Sequence, residues 1–190
     1  MIIGVTGGIG SGKSTISEIL RHEGFPVYDT DKEARRLQNE HPEIRTQLMA
    51  LFGNNVYDET GLNRKFLASI VFKQPELLEK LNAVVHPFVK EDFIEWMKKY
   101  PGEKVYFIES AILFEAHFNE IVDKIILVTA PEEVRIERVM KRDSMTEEQV
   151  RARINNQGSD EKKIDFADFV IRTDDNQDLK KKLKKILAQL

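Results

Sequence analysis

A parallel α/β fold, with a five-stranded sheet covered by helices on both faces, is predicted by three features of this 190-residue chain. Five short apolar runs recur along it: Ile2 to Thr6, Phe25 to Tyr28, Val105 to Ile108, Lys124 to Thr129 and Phe169 to Ile171. Most are apolar throughout rather than alternating, as strands buried on both faces are. Helical periodicity fills the stretches between them, which specifies crossovers and hence parallel pairing.

Each element has a local reason. Ile2-Ile3-Gly4-Val5-Thr6 reads as a buried strand that runs into a Gly-rich turn. The helix after it carries Ile16, Ile19 and Leu20 on one face, with Gly24 as its stop. The second strand has Pro26 near its start, where a missing N–H is tolerated. From Thr30 to about Tyr100 the pattern is helical and interrupted only by turns. Leu77, Leu81, Val84, Val85 and Phe88 lie at helical spacing, and Pro87 predicts a kink or a new start. This stretch is too long for a simple crossover and reads as an inserted helical unit. Pro101-Gly102 turns the chain into the third strand, and Pro131 ends the fourth. Helices follow from Pro131 to about Arg142 and from Met145 to about Asn155. Leu179, Leu183, Ile186, Leu187 and Leu190 give the last helix an apolar face. Its Lys180 to Lys185 cluster reads as a solvated face rather than a nucleic-acid patch.

Composition narrows the classes. Hydrophobic residues make up 41% and charged residues 32%, as in ordinary globular domains. With a net charge of −3, binding to nucleic acid through bulk charge is not expected. The apolar runs are too short to span a bilayer, and the first residues lack a signal-peptide pattern. There is no cysteine, which excludes thiolate nucleophiles and cysteine-held metals and fits a reducing cytoplasm. Oligomeric state is left open.

Gly7-Gly8-Ile9-Gly10-Ser11-Gly12-Lys13-Ser14 matches G-x-x-x-x-G-K-[ST] between a predicted strand and a predicted helix, the context that motif requires. Consecutive N–H groups of such a loop line a concavity for phosphates, and the helix N-terminus adds positive potential. Gly8, Gly10, Ser11 and Gly12 supply the cradle. Lys13 can reach the β- and γ-phosphates of a nucleotide, Ser14 can ligate Mg²⁺, and Thr15 continues the first helical turn. A small-molecule kinase, a GTPase switch and an ATP-binding module compete. Asp58-Glu59-Thr60-Gly61 fits a GTPase pattern, but it follows no convincing strand and no guanine motif N-K-x-D occurs, so it reads as a polar turn.

Other residues are candidates with alternatives. Asp29 and Asp31 follow the second strand, at the sheet end where ligands bind. A kinase acting on an alcohol needs such a carboxylate to accept the hydroxyl proton; helix capping is the other reading. Arg35 lies on the same helix face as Asp31 and could bind an acceptor anion or pair with it. Glu109 ends the third strand and is either a metal-side acid or a cap. Arg135, Arg138 and Arg142 form one helical stripe near the phosphate loop, suited to transition-state charge or to salt bridges. His86 precedes Pro87 in the apolar insert and by itself reads as structural.

Taken in order, these residues resemble the dephospho-coenzyme A kinase family over essentially the whole chain. The marks are Thr6 through Thr15, Asp29-Thr30-Asp31 with Ala34-Arg35, Asn82 to His86-Pro87, Ile112-Leu113-Phe114-Glu115, Arg138 through Arg142-Asp143, Gln157, and Ala167-Asp168-Phe169-Val170-Ile171. The resemblance implies a three-layer P-loop kinase fold and ATP- and Mg²⁺-dependent phosphorylation of the ribose 3′-hydroxyl of dephospho-coenzyme A. It implies one kinase domain: a nucleotide-binding core (about 1–29, 101–139 and 158–190), an acceptor-binding insert (about 30–100) and a lid (about 140–157). Asp31 falls at the family's general base, Arg138 and Arg142 at phosphate-binding positions, and His86 on the acceptor side. Another metabolite kinase, acting on a nucleoside monophosphate or a sugar acid, is the alternative, and a nucleotide-binding switch the remoter one. Two segments depart from the pattern: Glu109-Ser110-Ala111, and Arg172-Thr173-Asp174-Asp175-Asn176 where many relatives have an Asn-x-Gly-like turn near the adenine.

Overall fold

The five apolar runs form one parallel sheet in the computed structural model, which describes residues 1–71, 74–155, 163–174 and 178–190. Gln157, the end of the expected lid, and Asp175 and Asn176 lie outside the described residues. The chain divides into two compact units, Met1–Asp29 with Gly102–Leu190, and Thr30–Pro101.

The first unit contains β1 (Ile2–Thr6), α1 (Lys13–His22) and β2 (Val27–Asp29). After the second unit it resumes with β5 (Tyr106–Glu109), β6 (Lys124–Thr129), α6 (Glu132–Asp143), α7 (Glu147–Asn155), β7 (Phe169–Arg172) and α8 (Leu179–Leu187). Strand order is β2-β5-β1-β6-β7, and every pairing is parallel. The order reverses about β1: the chain leaves it for β2 on one side and later reaches β6 on the other. That switch point, at the carboxyl ends of the strands, is where an open α/β sheet leaves a crevice.

One face of this sheet is closed by α1 and α8. Ile3 and Val5 from β1, Phe107, Ile126, Val128 and Ile171 from its neighbours, and Ile16, Leu20, Leu183 and Ile186 from the two helices form one buried cluster. Each such side chain contributes about 1.5–3 kcal/mol on leaving water, so the loop joining β1 to α1 is anchored at both ends by elements of this core.

Two strands are displaced from the expected positions. β2 starts at Val27 rather than Phe25. Pro26 has no N–H to donate, although its carbonyl accepts from Phe107, and the Phe25 ring packs edge-on against Phe107. β5 starts at Tyr106 and takes in Glu109, which pairs in register with Asp29.

The second unit holds α2 (Thr30–Glu40), α3 (Pro42–Phe52), α4 (Arg64–Val71) and α5 (Pro75–Met97). It also holds an unexpected hairpin of two-residue strands, β3 (Tyr57–Asp58) and β4 (Gly61–Leu62). The Asp58-Glu59-Thr60-Gly61 segment is its turn, as a polar turn should be: Asp58 Oδ1 accepts from the Thr60 N–H at 2.8 Å and from its hydroxyl at 2.6 Å. α5 runs without a break through Pro87, so the proline does not start a new helix. The proline lies on the exposed side, while Leu81, Val85, Val89 and Phe93 bury the opposite stripe. Four such side chains contribute roughly 6–12 kcal/mol against a proline cost of about 3 kcal/mol. Among the described residues no helix is long and apolar enough to cross a membrane.

Candidate active site

The phosphate loop occupies the switch point. Its shape depends on glycine at two positions in particular. Gly7 has φ 149°, and a Cβ there would run into the carbonyl oxygen of Val128 in β6. Gly10 has φ 79°, and a Cβ there would lie 2.5 Å from the backbone oxygen of Arg135. The loop therefore sits closer to β6 and α6 than any side chain permits.

Every carbonyl from Gly7 to Gly12 has a donor. Lys13 Nζ donates to Gly7 O at 2.6 Å and Gly8 O at 3.2 Å, and the Ser11 N–H closes a turn on Gly8 O. Arg135 Nε donates to Ile9 O at 3.0 Å and Arg138 Nη1 to Gly10 O at 3.3 Å. Thr173 Oγ1 donates to Ser11 O at 2.7 Å, and Gly12 O accepts from the first turn of α1. In a trans peptide the N–H points opposite to the C=O before it. Bonding the Ile9, Gly10 and Ser11 carbonyls to the α6 and β7 side thus aims the following N–H groups the other way.

The polar residues around this loop suit an anion and a hard cation. Ser11 Oγ is buried and has no hydrogen-bond partner among the described residues, and Lys13 is only 9% exposed. Gly12 starts α1 with no side-chain cap, so the positive helix end faces the loop undiminished. Ser14 Oγ donates to Glu109 Oε1 at 3.2 Å. Burial pushes the Glu109 carboxyl above its ordinary value; Asp29 adds repulsion, while the Ser17 and Ser14 hydroxyls and the Lys13 ammonium pull the other way. A hydroxyl beside one buried carboxylate is a fitting donor set for Mg²⁺, which usually takes one or two carboxylates and completes its shell with phosphates and water.

The structure thus brings together Gly8, Gly10, Ser11, Gly12, Lys13, Ser14, Thr15, Glu109 and Arg138. Arg142, at the end of the same helix, instead points its guanidinium at Asp143, with bonds of 2.8 and 2.9 Å. That bidentate partner raises the Arg142 value and lowers that of Asp143. Asp31 and Arg35 stand exposed in the first half of α2, and His86 stands half-buried within α5, all in the second unit. Sequence reasoning missed the roles of Arg135 and Thr173. The arginine stripe was visible in the spacing, but what its donors would bind was not. α6 and α7 share a small core of Ile136, Val139 and Val150, against which Ile9 of the loop also packs.

Comparison with known proteins agrees with this geometry. Residues 1–179 match the family model described as dephospho-CoA kinase. A dephospho-CoA kinase of Bacteroides fragilis is 40% identical over 188 residues, covering 99% of this chain and 92% of that protein. A crystal structure of a Thermus thermophilus protein superposes with a TM-score of 0.87 at 38% identity, covering 100% of this chain and 97% of that one. A dephospho-CoA kinase from Campylobacter jejuni gives 0.70 at 28% identity, covering 99% and 96%. With the motif, the sheet order and the full-length match in agreement, this chain belongs to the dephospho-CoA kinase family.

Proposed function

We propose that this protein transfers the terminal phosphoryl group of ATP to the ribose 3′-hydroxyl of dephospho-coenzyme A, giving coenzyme A and ADP. The observation that carries the reading is a phosphate loop with every carbonyl bonded, in a chain matched over residues 1–179 by one kinase family.

Phosphoryl transfer asks little covalent chemistry of a protein and much positioning and charge. Lys13 exchanges the Gly7 and Gly8 carbonyls for phosphate oxygens. Ser14 and Glu109 would hold Mg²⁺, which supplies charge neutralisation on the phosphates. We assign Asp31 as general base: its carboxylate takes the 3′-hydroxyl proton as that oxygen bonds to the γ-phosphorus, while the bond from phosphorus to the β–γ bridging oxygen breaks and ADP departs. In support, Asp31 is an exposed acid two residues beyond the end of β2, at the start of a helix. Arg35 and His86, with the Thr30–Pro101 unit that carries them, are assigned to the acceptor. Arg138 and Arg142 are assigned to the nucleotide side. The segment from about residue 140 to 157 is assigned as a lid that excludes water from the transfer. ATP is held at working concentration inside cells, so we place the reaction in the cytoplasm.

Incubated with Mg-ATP and dephospho-coenzyme A, the protein should yield coenzyme A by mass spectrometry; ADP release without a phosphorylated acceptor would overturn the reading. Asp31→Asn should lower turnover by about 10²–10⁴-fold, the usual worth of a general base, with ATP affinity retained. Near-normal turnover would reduce Asp31 to a helix cap.

A further inference from the structure

Thr173, the first residue after β7, is bonded through every polar group it has. Its N–H donates to Thr129 O at 3.0 Å, continuing the β6–β7 ladder by one residue. Its carbonyl accepts from Arg138 Nη2 at 2.8 Å. Its hydroxyl accepts from Arg138 Nη1 at 2.8 Å and donates to Ser11 O at 2.7 Å. A hydroxyl has one proton to give; the 2.7 Å bond to Ser11 takes it, leaving the 3.5 Å approach to Thr129 O secondary. A guanidinium donating to that oxygen polarises it and strengthens the bond it makes in turn. The methyl completes the fit, since a Cβ on Gly12 would sit 3.2 Å from Thr173 Cγ2.

Ser11 O precedes the Gly12 N–H, the last amide before Lys13. Of the carbonyls bonded by residues outside the loop and α1, those of Ile9 and Gly10 are held by α6, and that of Ser11 by the end of β7. We propose that Thr173 is a positioning residue for the phosphate loop: its hydroxyl holds the Ser11 carbonyl, and with it the Gly12 N–H, in the orientation that receives the nucleotide's phosphates. Thr173 touches no phosphate itself. The inference rests on the ATP-dependent reading above and adds a residue to it.

The test separates the two ends of the nucleotide. Thr173→Val keeps the methyl and removes the hydroxyl. By titration calorimetry, its Kd for Mg-ADP should rise about tenfold, from the loss of the hydroxyl's hydrogen bond to the Ser11 carbonyl, while its Kd for AMP stays within about twofold. In turnover, KM for ATP should rise and KM for dephospho-coenzyme A should not. Thr173→Ser, which restores the hydroxyl, should bind Mg-ADP nearly as the wild type does. If valine is not tolerated, Thr173→Ala and Thr173→Ser both lack the methyl and differ only in the hydroxyl, so their ratio carries the same comparison. Equal weakening of AMP and Mg-ADP would move the role to the nucleoside end and overturn the proposal, as would wild-type Mg-ADP affinity in the valine or alanine variant. A wild-type protein that binds Mg-ADP but leaves dephospho-coenzyme A unphosphorylated would overturn the proposed acceptor and leave this test standing. One that binds no Mg-ADP would overturn both.

Discussion

Replacing Gly10 by alanine should damage the protein in a way that can be apportioned. The residue has φ 79°, where an L side chain costs about 1–2 kcal/mol. The added Cβ would also meet the Arg135 carbonyl oxygen at 2.5 Å, with the Arg135 C and Cα at 3.0 Å. These are backbone atoms of a packed helix, so no flexible side-chain tip can swing aside. Overpacking of this kind costs about 1–3 kcal/mol, for a total of roughly 2–5 kcal/mol. The strain has two outlets. If the loop keeps its shape, the cost falls on stability, and the melting temperature drops by about 2–4 °C per kcal/mol for a chain of this size. If the loop moves off α6 and releases the Ile9 and Gly10 carbonyls, the cost falls on phosphate binding at about tenfold per 1.4 kcal/mol. Differential scanning calorimetry and Mg-ADP titration on one preparation should therefore show losses that together reach the 2–5 kcal/mol estimated above. A Gly10→Ala protein that melts and binds Mg-ADP as the wild type does would refute the claim that α6 backbone presses on this loop.

Two acids should respond to pH in opposite senses. Glu109 is buried opposite Asp29, and its carboxyl lies above the ordinary glutamate value of 4.5. Its charge therefore weakens the free protein as pH climbs from 4.5 through the raised value, chiefly through burial and secondarily through Asp29, and Glu109→Gln should melt higher at pH 8; the like-charge cross-strand part alone, about 0.2–1 kcal/mol, is worth about 0.4–4 °C. That gain should vanish near pH 4, where the glutamate carries its own proton; a lower melting point for the variant at pH 8 would contradict the reading. At Asp168, burial opposes the charge, but the Lys124 ammonium at 2.7 Å and the Ile125 N–H at 2.9 Å prevail and hold the carboxyl below 3.8. Its stabilisation is complete above the ordinary aspartate value and lost as pH falls through the depressed one, so Asp168→Asn should cost about 0.5–1 kcal/mol at pH 7 and converge with the wild type in acid. Parallel melting curves across that range would count against the ion pair.

β1 and β6 were legible to the residue because an apolar run meets an unmistakable stop, the Gly7-Gly8 turn in one and Ala130-Pro131 in the other. β5 slid by one because an acid argues against a strand, and only the pairing of Glu109 with Asp29 shows that it belongs to one. The β3–β4 hairpin was invisible because two residues per strand carry no period. Pro87 suggests a new helix start only while its local penalty is weighed without the buried stripe of α5, which outweighs it. In the site, Lys13, Ser14 and the glycines were legible because the motif encodes its own geometry. Thr173 was not, because its partner lies 162 residues away and threonine on its own signals no chemistry.

The phosphate-loop motif and the loop's function are therefore not the same information. G-x-x-x-x-G-K-S specifies a backbone able to turn its N–H groups inward, but a flexible backbone can turn them outward as well. Each inward N–H requires the carbonyl before it to be accepted on the other side, and burying that carbonyl without a donor costs about 1–3 kcal/mol. Here the donors for Ile9, Gly10 and Ser11 come from Arg135, Arg138 and Thr173, on a helix and a strand end more than a hundred residues downstream. Preorganisation of the loop is thus a property of the β6–α6–β7 scaffold as much as of the motif. A segment carrying residues 1–29 alone would keep every motif residue and lose the three donors that decide which way the loop faces.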